Sequence, residues 1–203
     1  ISLGRVGSEM CIRDRYDPGW WVQSDAEDIA LEINLPVMIN HIQKNITALA
    51  VDCIVNAANE RLVSGGGVCG AIHAAAGPEL AEECRRIGHC GVGEARITGS
   101  YNITNVRHII HTVGPVWKDG HQGERDYLAN CYKKTLLLAS HHYIGTIAFP
   151  NISTGIFGFP KEVAARIAVD TVQTYQRSNR KLNRVIFCCF DEENTAIYGK
   201  LLS

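Results

Sequence analysis

Two glycine-bearing segments carry the residues best suited to chemistry in this chain. The first, residues 65–72, reads Gly-Gly-Gly-Val-Cys-Gly-Ala-Ile, and the second, residues 153–160, reads Ser-Thr-Gly-Ile-Phe-Gly-Phe-Pro. Glycine lets backbone N–H groups approach an anion because it has no Cβ, and a helix N-terminus adds unpaired donors and a partial positive charge. Because each segment leads into a helix-like stretch, we expect the two loops to hold a phosphate-bearing ligand from both sides.

The first segment also satisfies the G-x-G-x-x-G pattern of Rossmann dinucleotide sites, through Gly65, Gly67 and Gly70. That fingerprint starts directly at the end of a strand and is followed, about 20 residues on, by an acidic residue. Here the preceding strand is predicted to end near Ala57, and the next one, residues 95–101, ends without an acidic residue. The spacing disfavours a Rossmann-type NAD oxidoreductase, while a purely structural glycine turn stays open at this point.

Composition limits the class of protein. The chain has 203 residues, of which 46% are hydrophobic and 20% charged, and its net charge is −1, as is normal for one globular domain. This charge does not argue for nucleic-acid binding, and no apolar run approaches the roughly 20 residues of a membrane helix. The eight cysteines lie in apolar segments and form no CxxC pair. We therefore expect buried, reduced thiols in a cytoplasmic protein, with no metal site and no cofactor.

The order of the predicted elements indicates an α/β fold. Residues 1–15 have no helical or strand period and resemble translated sequencing-adapter read-through, so they are predicted to be non-native. Residues 16–36 are predicted to be an N-terminal appendage, and residues 37–203 to be the folded domain, in which strands alternate with helices. Strands are predicted at residues 37–42, 51–55, 95–101, 106–113, 146–149 and 184–190, and helices at 71–87, 127–142, 161–175 and 192–202.

A series of short motifs runs in order from residue 45 to the end of the chain. The motifs are Asn45 to Thr47, Val55 to Asn59, Gly65 to His73, Ala75 to Pro78, His111 to Pro115, Ile152 to Pro160 and Asp191 to Asn194. Together they make residues 37–203 resemble a macrodomain, and among macrodomains the MacroD type and the bacterial O-acetyl-ADP-ribose deacetylases. The resemblance implies a three-layer α/β/α sandwich with a mixed, roughly six-stranded sheet. It also implies ADP-ribose bound across the C-terminal strand ends.

The resemblance further implies which residues bind this ligand. Asn45 and Ile46 would contact adenine, and Phe190 would either wall the adenine pocket or belong to the core. Asn59 would hydrogen-bond the distal ribose beside the reacting ester. One phosphate would lie on the first loop, and the second loop would hold the other phosphate and the distal ribose. The implied loop residues are Gly66, Gly67, Val68, Gly70, Ala71 and Ile72 in the first, and Ser153, Thr154, Gly155, Ile156 and Phe157 in the second.

Two positions depart from the family pattern. Asn45 stands where the family usually has an Asp that accepts a hydrogen bond from the adenine amine. An amide oxygen can still accept, but without charge assistance. This change predicts a loss of about 1 kcal/mol in binding free energy. Cys69 stands where the family has its catalytic Asp, which helps to activate or orient a water. Loss of a general base typically lowers a rate by about 10²–10⁴-fold.

These departures define the functional expectation. We expect binding of ADP-ribose or O-acetyl-ADP-ribose and weakened hydrolysis of ADP-ribosyl esters, including mono-ADP-ribose on acidic side chains of modified proteins. Asn59 and Cys69 are the candidate catalytic residues. The alternative is a non-catalytic reader module, which would bind ADP-ribose without turnover. The two differ at Cys69, because an enzyme needs a group that handles the attacking water and a reader does not.

Overall fold

A six-stranded sheet organises the part of the chain that the structure, a computed structural model, describes: residues 38–179 and 182–203. The predicted read-through segment and the predicted appendage lie outside these described residues. Five strands run parallel, in the order β1-β6-β5-β2-β4, and β3 pairs antiparallel with β4 at one edge. The strands are β1 (Met38–Gln43), β2 (Cys53–Ala57), β3 (Ala95–Gly99), β4 (His108–Thr112), β5 (Thr146–Phe149) and β6 (Arg184–Cys189).

Five α-helices connect or follow these strands in the described residues. None of them is long and apolar enough to cross a membrane. A short 3-10 turn, Ile46–Ala48, follows β1. The helices are α1 (Gly67–Ala76), α2 (Pro78–Ile87), α3 (Glu124–His141), α4 (Lys161–Ser178) and α5 (Glu192–Leu202).

The sheet carries a hydrophobic core on each face. Alternate residues of a strand point to opposite faces of the sheet. On β2, Val55 packs into the core that contains residues of α3, α4 and α5. Its neighbour Ile54 packs into the core that contains residues of α1 and α2. This arrangement confirms the predicted three-layer α/β/α sandwich with a mixed, six-stranded sheet. All seven cysteines of the described residues are buried and free, as expected for buried thiols.

The strand order also removes the Rossmann alternative. A Rossmann sheet has the order 3-2-1-4-5-6 and places its glycine loop at the first strand-to-helix turn. Here the order is β1-β6-β5-β2-β4-β3, and residues 58–66 separate the end of β2 from α1.

The single helix predicted over residues 71–87 is wrong. The structure has two helices instead, because Gly77 adopts a φ of +87° and Pro78 occupies the first turn of α2. A positive φ is easily adopted only by glycine, and proline has no N–H with which to continue a preceding helix. The ends of the other predicted elements agree with the structure to within three residues.

Because β1, β6, β5, β2 and β4 are parallel, their carboxyl ends all lie at one edge of the sheet. The chain leaves β1 at this edge toward Asn45, β6 toward Phe190 and β5 toward the second glycine loop. In parallel α/β sheets, ligands bind outside this edge. The fold therefore collects the predicted site residues from separate parts of the sequence.

Candidate functional site

The two glycine loops follow neighbouring strands at this edge. β2 and β5 are paired, with Cys53 opposite Ile147, and the first loop follows β2 whereas the second follows β5. A Cβ added at Gly66 or at Gly155 would meet no other heavy atom of the described residues within 4 Å. The backbone of both loops is therefore open to a bound molecule.

The first loop is largely the first turn of a helix. α1 begins at Gly67, four residues before the predicted start, and no side chain caps its N-terminus at Gly66. The first N–H groups of a helix have no intrahelical acceptor, so this end of α1 presents free donors and the positive end of a helix dipole. Gly70 is required for the turn, because a Cβ there would overlap the carbonyl oxygen of Gly65. This geometry suits an anion.

Two of the residues assigned to the first loop lie one turn further along α1. The N–H groups of Ala71 and Ile72 lie in the second turn, where helix geometry pairs them with carbonyls four residues earlier. The Ile72 side chain is fully buried in the core beneath α1. The Ile72 side chain therefore packs α1 against the sheet, and the predicted contact of Ile72 with a ligand concerns only its backbone.

Cys69 lies beneath the first turn of α1 and is 5% exposed. Its Sγ accepts from Nδ2 of Asn56 at 3.7 Å and donates to the carbonyl oxygen of Val63 at 3.6 Å. The thiol proton is thus used within the protein. A carboxylate at position 69 could still accept from Asn56 but would repel the Val63 oxygen, so it would have to turn away from Val63.

A buried polar network supports Cys69 from the sheet side. Nδ2 of Asn56 also lies 3.1 Å from Nδ1 of His111, and Nε2 of His111 lies 2.9 Å from Oγ1 of Thr98. Burial, with a smaller contribution from the charge of His73, lowers the pKa of His111 to about 3, so the ring is neutral near pH 7. Because the Asn56 amide donates to Nδ1, the ring proton is assigned to Nε2. The sequence signal for this network is His111, a histidine that follows Ile109 and Ile110 within β4, since a buried polar group needs a partner.

The two candidate catalytic residues meet at one carbonyl group. Asn59 donates through Nδ2 to the Val63 oxygen at 2.7 Å and accepts through Oδ1 from the Val63 N–H at 3.2 Å. The same Val63 oxygen accepts the Cys69 thiol. A Cβ built on Gly65 would lie 3.6 Å from Nδ2 of Asn59, so the Asn59 amide lies beside the first loop while it holds the Val63 turn.

The second loop contains a strained and unpartnered serine. Ser153 has a φ of +65°, which is uncommon for a residue other than glycine. It is buried, yet its hydroxyl has no hydrogen-bond partner among the described residues. Strained residues often cluster at binding sites. The exposed Ile156 and the half-buried Thr154 and Phe157 complete the part of this loop assigned to the ligand.

The predicted adenine end has an exposed aromatic ring and a buried residue. Phe190 is 91% exposed, so of its two predicted roles the core role is wrong. Ile46 is buried in the core, which leaves only its backbone for contact with a ligand. Asn45 is exposed, but its Oδ1 already accepts from the N–H and the hydroxyl of Thr47, at 3.1 and 2.9 Å. The expected use of this oxygen by adenine conflicts with that geometry.

A buried carboxylate outside the predicted site fixes the loop that follows β4. Glu124 is 3% exposed, and the two glycines that precede it are the turn signal in this segment. Burial acts to raise the pKa of Glu124, but backbone N–H groups outweigh this effect and lower it to about 2. The N–H groups of Lys118, Gly120 and Gln122 donate to its carboxylate at 3.2, 3.2 and 2.7 Å.

The loop fixed by Glu124 supports the second glycine loop through Trp117. The Trp117 N–H donates to the carbonyl oxygen of Phe157 at 2.8 Å. The Trp117 ring packs against Phe159, with ring centroids 4.5 Å apart. Glu124 is thereby linked to the second loop, although it lies outside that loop.

Replacing Glu124 with Gln is expected to lower the melting temperature and to weaken ligand binding by the second loop, because a neutral amide oxygen holds several N–H groups less tightly. The folded-state pKa is depressed, so the stabilisation is complete above the unfolded value of about 4.3 and is lost as the pH falls toward about 2. Thermal unfolding of both proteins from neutral pH down to acid tests this. A difference in melting temperature that stays constant with pH would contradict it.

Comparison with known proteins assigns the family. The sequence profile of the Macro domain matches residues 55–168. The chain is 52% identical over 167 residues to a macro domain-containing protein of Chlorobaculum tepidum, covering 82% of this chain and 96% of that protein. It is 48% identical over 169 residues to an O-acetyl-ADP-ribose deacetylase of Escherichia fergusonii, covering 81% and 95%. A solved Trypanosoma brucei macrodomain in complex with ADP-ribose aligns with a TM-score of 0.77 and 38% identity, covering 81% of this chain and 69% of that chain. The chain therefore belongs to the Macro domain family.

Proposed function

We propose that this protein binds ADP-ribose across the two glycine loops and hydrolyses ADP-ribosyl esters at a reduced rate. The observation that carries the proposal is the pair of open backbone segments on the neighbouring strands β2 and β5, one of which is an uncapped helix N-terminus. A diphosphate presents two adjacent anionic groups, and two adjacent sets of N–H donors match it. The solved macrodomain with ADP-ribose and the relative named as a deacetylase support the same ligand class.

The order of the strands supports one direction for the proposed ligand. The exposed ring of Phe190 and the amide of Asn45 follow β6 and β1, whereas the glycine loops follow β5 and β2. Neighbouring strands lie about 4.8 Å apart, so the centres of these two strand pairs are separated by about 10 Å. This separation suits a base at one end and a diphosphate at the other. The distal ribose then reaches Asn59.

The proposed reaction is the hydrolysis of an ester on the distal ribose. A water attacks the ester carbonyl, the bond to the ribose oxygen breaks, and that oxygen takes up a proton. Asn59 would orient the ribose, and the loop N–H groups would hold the phosphates. Cys69 lacks the two acceptor oxygens of a carboxylate, and its proton is directed to Val63. Binding and orientation alone still accelerate a reaction, which supports slow turnover.

The reader alternative rests on the same observation at Cys69. The thiol is 5% exposed and engaged with Asn56 and Val63, so it has no free group for the attacking water. A reader would retain every binding feature and show no turnover. Ester hydrolysis measured under single-turnover conditions separates the two functions.

ADP-ribose is expected to bind at least about tenfold more tightly than NAD, a difference of about 1.4 kcal/mol. The nicotinamide of NAD occupies the anomeric carbon of the distal ribose, which would be enclosed between the two loops. Titration calorimetry of the full chain with both ligands measures this, with AMP as a control that lacks the second phosphate and the distal ribose. Equal affinities for ADP-ribose and NAD would contradict the proposed orientation.

A further inference from the structure

The end of the cleft proposed to hold the base is formed by Asn45 and Phe190. It presents hydrogen-bond donors at a position where a site selective for adenine needs an acceptor. Asn45 caps the 3-10 turn after β1, and its Oδ1 accepts two hydrogen bonds from Thr47, one from the N–H and one from the hydroxyl. An amide oxygen has two lone pairs, and both are now used. The Nδ2 group, with two N–H donors, has no partner among the described residues and is the part of this exposed side chain available to a ligand.

An exposed aromatic ring follows the strand that pairs with β1. Phe190, 91% exposed, directly follows Cys189, which is paired in register with Gln43 of β1. Nδ2 of Asn45 and the Phe190 ring therefore follow the ends of two adjacent strands, and Nε2 of Gln43 donates to the Phe190 carbonyl oxygen at 3.4 Å. Aromatic side chains bind bases by stacking without regard to base identity. The identity of the base would then be read at its edge, by Asn45.

An amide and a carboxylate at position 45 would select opposite hydrogen-bonding groups at the same position of the base. A carboxylate that caps the turn with one oxygen has a second oxygen left, which accepts from the 6-amino group of adenine. Asn45 has only N–H donors left, and these oppose an amine. Turning the amide over would supply an acceptor but would place Nδ2 against the Thr47 N–H, so the hydrogen bond from that N–H would be lost. The hydroxyl of Thr47 would have to change from donor to acceptor.

We propose that Asn45 is a specificity-determining residue that makes the cleft accept a 6-oxopurine nucleoside diphosphate at least as well as an adenine one. Guanine and hypoxanthine carry the acceptor O6 where adenine carries a donor amine, so they match Nδ2 of Asn45. The inference rests on the proposed function, because the nucleotide must bind in this cleft.

The test compares ADP with inosine diphosphate in the full chain and in Asn45→Asp, by titration calorimetry. Asp caps a helical turn as well as Asn does, so the variant keeps the turn and changes only the group that faces the ligand. Wild type is expected to bind inosine diphosphate at least as tightly as ADP. Asn45→Asp is expected to shift the affinity ratio toward ADP by about fivefold or more. A wild-type preference for ADP, or a smaller shift, overturns the proposal.

Thr47→Val provides a second, milder variant. It removes the hydroxyl donor with little change in shape, which frees one lone pair of the Asn45 oxygen for an amine. The affinity ratio is expected to move toward ADP, in the direction of the Asp variant but by less. An unchanged or opposite ratio counts against the capping argument. If wild type binds neither diphosphate nor ADP-ribose, the proposed function itself fails, which is a different result from binding without the expected preference.

Discussion

Replacing Cys69 with Asp is expected to raise the rate of ADP-ribosyl ester hydrolysis by about 10²-fold. The thiol donates to the Val63 oxygen and has no second acceptor for a water. A carboxylate has no proton to donate to Val63, so repulsion favours its rotation toward the open side of the first loop, where Gly66 leaves space. The uncapped N-terminus of α1 helps to carry its charge. There it can hold and polarise the attacking water.

The measurement is single-turnover release of acetate from O-acetyl-ADP-ribose by wild type and by Cys69→Asp. Cys69→Asn is the matched control, because Asn has the size of Asp without the charge, and it should not gain activity. The affinity for ADP-ribose should fall modestly in the Asp variant, because the new carboxylate repels the diphosphate. If wild type is already as fast as Cys69→Asp, Cys69 is not what limits turnover, and another group manages the water.

The layered fold could largely be predicted from the sequence because buried parallel strands are continuous apolar runs. The segment Cys53-Ile54-Val55 is buried on both faces of the sheet, and such a segment needs helices on both sides. The break at Gly77 differs from the prediction of one continuous helix, although glycine followed by proline is a strong stop signal. Apolar spacing continues across it, since Ile72, Leu80 and Cys84 all pack in the same core.

In the candidate site, the positions of the loops could be predicted from residue types, whereas the directions of individual side chains depend on local folding. Gly66 and Ser153 could be placed in loops at the carboxyl edge of the sheet because their motifs follow predicted strands. The directions of the Asn45 and Asn59 amides could not be predicted. An amide both donates and accepts, and only the turns formed with Thr47 and Val63 decide which atom is left for a ligand.

Glu124 illustrates a second reason why the supports of the candidate site could not be predicted from the sequence. Its carboxylate acts through backbone N–H groups, which every residue except proline carries, so the donors leave no sequence signal. The connection from Glu124 to the second loop passes through the Trp117 N–H and the Phe157 carbonyl oxygen, again backbone groups. Supports of this kind become visible only in the folded chain.

Replacing Asn59 with Ala is expected to lower ester hydrolysis by about 10²-fold while weakening ADP-ribose binding much less. The amide clamps the Val63 turn through two hydrogen bonds, and the Val63 oxygen also holds the Cys69 thiol. Loss of the clamp would shift the two candidate catalytic positions together, and a displacement of about 1 Å at the reacting centre can lower a rate by about 10². The N–H groups of α1 that are proposed to bind a phosphate lie outside this turn, so most of the binding energy should remain.

Turnover should be measured in wild type and in the faster Cys69→Asp background, with ADP-ribose affinity measured for each protein. Asn59→Asp is the informative companion, because it keeps the bond from the Val63 N–H but loses the donor to the Val63 oxygen and opposes it with a charge. If the donor matters, Asn59→Asp should lose turnover as Asn59→Ala does. Unchanged turnover in both variants, with binding intact, would show that Asn59 only shapes the loop and that the distal ribose is oriented by other groups.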